Sequence, residues 1–165
     1  LGNESVDWRD IMGPHWQRTQ LRMQHEAVVL CLQDTTELNF NGQQIEGLGP
    51  LSYESQRGMY LHPTYAVTPA RVPLGVVDAW MWAREKRNED GQRNGPKESA
   101  RWVEGYDRIA EMALEMPGTR LVYVAGREAD LMPLCSVQNT WAIPPIGWFV
   151  PRTIAACPIT ASCSM

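Results

Sequence analysis

The chain has 165 residues, 44% of them hydrophobic and 21% charged, with a net charge of −4. That length supports one domain with a real core, and the composition carries no signature of disorder. No apolar run approaches the roughly 20 residues that a membrane helix needs. No secretory signal is visible, and the acidic balance gives no electrostatic reason for tight nucleic-acid binding by this chain alone. The four cysteines, Cys31, Cys135, Cys157 and Cys163, show no Cys-x-x-Cys spacing, which argues against zinc. The chain begins with Leu1 rather than Met, as expected of a piece of a longer chain.

Residues 1–26 read as a polar, helix-rich lead-in. Trp8, Ile11 and Met12 have helical spacing, Gly13-Pro14 is expected to break the pattern, and Trp16, Leu21 and Met23 belong to a second helical piece. The run Val28-Val29-Leu30-Cys31-Leu32 is apolar without alternation, so it predicts a strand buried on both faces, with Cys31 as a small buried hydrophobe. Gln33-Asp34-Thr35-Thr36 follows it. A carboxylate at the end of such a strand is costly unless it is paired or binds a cation. Tyr60 to Thr68 and Leu74 to Trp82 predict two more strands in an antiparallel meander, with Trp80 and Trp82 on one face.

Arg84 to Asn94 is a charged loop. Pro96 then opens a helix over about Lys97 to Met116, with Glu98 favourable to its dipole. Trp102, Tyr106, Ile109, Ala113 and Met116 form its apolar stripe, and Pro117-Gly118 stops it. A second buried strand, Leu121 to Ala125, follows, and a right-handed crossover would set it parallel to the first. It ends in Gly126-Arg127-Glu128-Ala129-Asp130. The ends of the two strands, at Asp34 and Gly126, are the expected place for a site in an α/β sheet. Residues 135–165 contain one charged side chain, Arg152, with four prolines and three of the four cysteines. This irregular tail reads as foreign to the domain before it, and a shifted reading frame produces that change in composition.

The order strand, strand, strand, helix, strand, with an aspartate on the first, is that of the ribonuclease H-like fold. Gln33-Asp34-Thr35-Thr36, Arg57-Gly58 with His62, Lys97-Glu98-Ser99 with Trp102, and Arg127-Glu128-Ala129-Asp130 occur in that sequence. Over roughly residues 15 to 132 the chain resembles the cut-and-paste DNA transposases of bacterial insertion sequences, the insertion-sequence-four family that includes the Tn-five transposase. The resemblance implies a partial catalytic domain over 27–134. Residues 1–26 would then be a remnant of the region after an N-terminal DNA-binding domain. It also implies transposon-end and target DNA as partners and a bacterial cytoplasm, at the nucleoid when DNA is bound.

In that family two aspartates and a glutamate hold two divalent cations, Mg²⁺ or Mn²⁺. Hard cations prefer carboxylate oxygens. A pair of them activates the attacking water and stabilises the leaving oxygen in phosphodiester hydrolysis and strand transfer. Asp34 matches the first aspartate. Gly126 stands where the second belongs, and the glutamate pattern expected beyond residue 132 does not occur. The resemblance therefore implies an enzyme lineage but predicts a chain that does not cut DNA and that binds metal weakly or not at all. Glu128 and Asp130 are the candidate substitute ligands. Arg127 is expected to contact DNA phosphate or pair with Asp34. Lys97 and Arg57 are weaker candidates for DNA contact, against the simpler reading of a helix start and a solvated strand edge. Three alternatives accompany this reading. One is a non-catalytic protein that regulates an intact transposase by association, another a small nuclease built on Asp34 with Glu128 or Asp130, and the last a degraded gene product.

Overall fold

A computed structural model describes residues 5–93, 98 and 100–126, together with the backbone of 155–159. Its elements, in chain order, are α1 (Trp8–Met23), β1 (Val28–Gln33), β2 (Thr36–Asn39), β3 (Gly49–Pro50), β4 (Arg57–Val67), β5 (Pro73–Trp82), α2 (Ala100–Glu115), β6 (Arg120–Ala125) and β7 (Ala155–Ile159). Among the described residues the seven strands form one mixed sheet. β4 lies antiparallel to β5 on one side and to β1 and β2 on the other, and β3 adds a two-residue pairing at its start. β6 runs parallel to β1, the one parallel pair, and β7 lies antiparallel to β6. The predicted meander and parallel fourth strand are both present. The segment read as an irregular tail contributes the strand β7. Among the described residues no helix is long and apolar enough to cross a membrane.

β1 and β2 are two parts of one extended segment. Gln33 faces Thr64 before the interruption and Thr36 faces Leu61 after it, so the register against β4 is unchanged. By that register Asp34 and Thr35 lie across from Pro63 and His62. Proline has no N–H to give a ladder, and the pairing lapses here, at the acidic residue.

The expectation of strands buried on both faces is corrected. In β1, Val29, Cys31 and Gln33 are buried, while Val28, Leu30 and Leu32 are half-buried. β6 alternates in the same way, with Leu121, Tyr123 and Ala125 inward. Both helices contribute to one core cluster over the inward face: Met23 from α1, and Trp102, Tyr106, Ile109 and Ala113 from α2. The helical stripe expected from the sequence, Met116 included, is thus part of the core. Burying each large apolar side chain contributes about 1.5–3 kcal/mol. Cys31 is buried and free, and burial pushes its thiol up to about 12, so it is an inert core residue.

Two helix boundaries also depart from expectation. α1 runs unbroken through Pro14. A proline disfavours helix in the preceding residue by clashing with its Cβ, but that residue is Gly13, which has none. A capping box between Asp7 and Asp10 closes the N-terminus. The rings of Trp8 and Trp16 meet edge-on at 5.8 Å, bridging the proline turn. α1 is fixed to β5 by Arg22, whose Nε donates to the Leu74 carbonyl at 2.7 Å. α2 begins at Ala100, so Glu98 precedes the helix rather than lying in its first turn, and its carboxylate instead pairs with the Arg84 guanidinium.

α2 approaches the sheet closely at Gly105. A Cβ there would lie 2.1 Å from Gln33 Nε2 and 2.4 Å from its Oε1. Alanine ordinarily stabilises a helix interior relative to glycine by roughly 0.5–1 kcal/mol. At this position the sign reverses. Gly105→Ala is expected to destabilise the fold by about 1–3 kcal/mol in urea unfolding, whereas Gly118→Ala, with open space around its Cβ position, leaves the midpoint nearly unchanged.

Candidate functional site

The parallel register aligns Gln33 with Ala125, the last residues of β1 and β6. The next residue on each chain is Asp34 and Gly126. The two positions singled out in the sequence therefore leave the sheet side by side, at about the 4.8 Å spacing of neighbouring strands. Asp34 is exposed, and its Oδ1 accepts a hydrogen bond from the Thr35 N–H at 2.8 Å. Among the described residues a Cβ built on Gly126 meets nothing within 4 Å.

Immediately beneath lies a polar network that sequence reasoning missed. Gln33 is buried at the end of β1. Its Nε2 donates to Thr64 Oγ1 at 2.6 Å, and its Oε1 accepts from the Tyr123 hydroxyl at 2.9 Å and from His62 Nε2 at 3.2 Å. The Tyr123 hydroxyl also lies 3.1 Å from the Trp102 carbonyl. His62 Nδ1 meets Thr35 Oγ1 at 2.8 Å. A neutral His62 with its proton on Nε2 satisfies both contacts, with Thr35 as donor. The ring of His62 packs edge-on against Trp102 at 4.5 Å. Thr35 is thus held by His62, whose side chain is buried. The alternation Tyr60, His62, Thr64, Ala66 was the available signal, since all four turn to the buried face.

Burial pushes the His62 imidazole down to about 4, and the charge of Arg101 acts in the same direction, while Asp34 and Asp78 oppose it. Asp78 is buried and paired with Arg108. Along the same face Arg84 covers Tyr60 at 4.0 Å, Tyr60 stacks on Trp82 at 5.2 Å, and Arg101 covers Trp82 at 3.9 Å. The Tyr60 and Trp82 rings are thus each covered by a protein cation. Tyr60, Trp82 and Trp102 line a cleft of about 300 Å³ together with Thr35, Glu37 and Glu98.

The other candidates are not gathered at the strand ends. Arg57 opens β4, six residues from Pro63 and so roughly 20 Å along the strand from the position facing Asp34. Its Nη2 donates to the Leu48 carbonyl at 3.0 Å. Lys97, Arg127, Glu128 and Asp130 lie outside the described residues. Among the described residues no three His, Cys, Asp or Glu side chains converge on a point. Among the described residues Asp34 is the one carboxylate at the paired strand ends, and Gly126 has no donor to give. These residues do not make the three-carboxylate donor set of a two-metal centre. No protein-family model matches the chain, and no curated protein matches it.

The neutral His62 sets a pH dependence. The unfolded chain takes up a proton near the ordinary value of 6.5, and the folded chain does so only near 4. More protons bind to the unfolded state in that window, so stability is complete above 6.5 and falls as pH is lowered toward 4, by at most on the order of 3 kcal/mol. Urea midpoints measured between pH 7 and 5 are expected to fall in the parent chain and to stay nearly flat in His62→Gln.

Proposed function

We propose that the chain is a ribonuclease H-like catalytic-domain segment of a cut-and-paste DNA transposase of the insertion-sequence-four type, in a form that does not cut DNA. The observation that carries this reading is the alignment of Asp34 with Gly126 at the ends of the two parallel strands. A two-metal nuclease needs carboxylates from neighbouring elements at a fixed separation, and adjacent parallel strands supply that separation. The meander of β1, β4 and β5, the helix α2 and the parallel β6 support the same reading, because they place the aspartate on the sheet's middle strands.

The chemistry then follows from the donors present. A bound pair of Mg²⁺ or Mn²⁺ ions would supply the activated water and neutralise the leaving oxygen, and Asp34 is the residue to hold one of them. Thr35, fixed by His62, holds the Asp34 carboxylate through its N–H. A single carboxylate binds Mg²⁺ weakly, because the ion relies on further carboxylates or substrate phosphates. The open space at Gly126 supports that position as the place of the missing ligand.

Calorimetric titration with Mg²⁺ and Mn²⁺ tests the assignment. The parent chain is expected to show no saturable binding below millimolar metal. Gly126→Asp is expected to bind Mn²⁺ at least tenfold more tightly than the parent, and Gly126→Asp with Asp34→Asn to lose that gain. Tight binding by the parent chain, or a gain that survives Asp34→Asn, overturns the reading.

A further inference from the structure

We propose that Asn41 is a site of spontaneous covalent modification, at which the backbone nitrogen of Gly42 displaces the side-chain amide and leaves an aspartyl or isoaspartyl residue. The chemistry needs an asparagine whose side chain is untied, a following N–H that is free, and a following residue with no side chain to obstruct the approach. The turn after β2 supplies all three.

Phe40 to Gln43 form a β-turn, closed by the Gln43 N–H donating to the Phe40 carbonyl at 3.0 Å. Gly42 has a φ of +82°, and of the two central residues it alone lies in the left-handed region. That is the pattern of a type II turn, which favours glycine at its third position. Asn41 and Gly42 are exposed, and a Cβ built on Gly42 meets nothing within 4 Å. Among the described residues the Gly42 N–H, the Asn41 carbonyl and the Asn41 side-chain amide make no hydrogen bond to protein. The peptide unit between the two residues is therefore free to turn until the nitrogen faces Asn41 Cγ.

Neighbouring sites lack one condition or another. Asn39 Oδ1 accepts from the Asn41 N–H at 2.8 Å, and Asn88 Oδ1 accepts from the Gln92 N–H at 2.8 Å. Each of these asparagines is followed by a residue with a side chain, Phe40 and Glu89. At Asp90-Gly91 the Gly91 N–H is engaged, donating to the Asn88 carbonyl at 3.0 Å.

The step is a hydrolysis with no redox change. Hydroxide removes the Gly42 amide proton, and the nitrogen attacks Asn41 Cγ. The N–Cγ bond forms, the Cγ–Nδ2 bond breaks, and the amide nitrogen takes a proton from water and leaves as ammonia. Water then opens the cyclic imide. Cleavage at Cγ gives aspartate, and cleavage at the main-chain carbonyl carbon gives isoaspartate, whose backbone runs through the former side chain. Either product adds one negative charge to a chain whose net charge is −4. The isoaspartyl form also inserts a main-chain carbon next to Phe40, whose N–H donates to the Arg57 carbonyl at 2.9 Å at the end of the β2–β4 ladder. This inference rests on the turn alone and is independent of the metal-site reading.

The test is incubation of the full chain in heavy-oxygen water at mildly alkaline and mildly acidic pH, followed by peptide mapping. Asn41 is expected to convert at least tenfold faster than Asn39 and Asn88, faster at the alkaline pH, with one heavy oxygen entering the new carboxylate. Its rate in the folded chain is expected to lie within severalfold of the rate in urea, because the turn gives no protection. Asn41→Gln, at an exposed position, is expected to keep the folded circular dichroism spectrum and to lose the change at 41. The Asn94-Gly95 pair lies outside the described residues and is read on its own peptide. An Asn41 that stays an amide as long as Asn39 and Asn88, conversion without entry of heavy oxygen, or a rate that folding lowers more than tenfold overturns the inference.

Discussion

The fold depends on the side chain of Gln33. It sits at the end of β1, under Gly105 of α2, and its amide reaches Thr64 on β4 and Tyr123 on β6. One buried amide therefore joins three strands and determines how near the helix can come. Buried polar groups cost several kcal/mol when unpaired and little when satisfied, so the network specifies one packing of helix on sheet and penalises others. His62 extends it to Thr35, and through Thr35 to the exposed carboxylate of Asp34. The strand ends are held rigidly from beneath, while the carboxylate itself stays in water.

The same construction explains why the sheet opens where it does. Proline at 63 cannot donate to the segment facing it, and the ladder between β1 and β2 lapses without losing register. The released residues turn a hydroxyl inward to His62 and leave a carboxylate exposed. A lapse in pairing beside two parallel strand ends is a suitable place for a ligand to approach backbone and side chain together. Among the described residues no second carboxylate stands there.

Much of the architecture was legible in local pattern. The apolar runs at 28–32 and 121–125, the α2 stripe and the Pro117-Gly118 stop each act within a few residues, and each forms the expected element, although the two runs are fully buried on one face only. The alignment of Asp34 with Gly126 followed from the strand–helix–strand order. What escaped was non-local or compensated. His62 was hidden because its partners, Gln33 and Thr35, lie 29 and 27 residues away and Trp102 packs on it from another element. The unbroken α1 was hidden because Gly13 and Pro14 both read as breakers, whereas Gly13, having no Cβ, removes one of the clashes that a proline imposes. Half-buried Leu30, Leu32, Val122 and Val124 misled because an apolar run does not reveal that both helices cover the same face.

The central claim is the side-by-side placement of positions 34 and 126. Disulfide trapping measures it directly. Neighbouring strands bring Cα atoms within the range of roughly 4.4–6.8 Å that a disulfide requires. The account predicts that Asp34→Cys with Gly126→Cys forms the 34–126 crosslink on mild oxidation of the folded chain, as identified by mass spectrometry of the linked peptides, and that Asp34→Cys with Gly118→Cys does not. Equal crosslinking of both pairs, or none for 34–126 in a chain that keeps its folded spectrum, would contradict it.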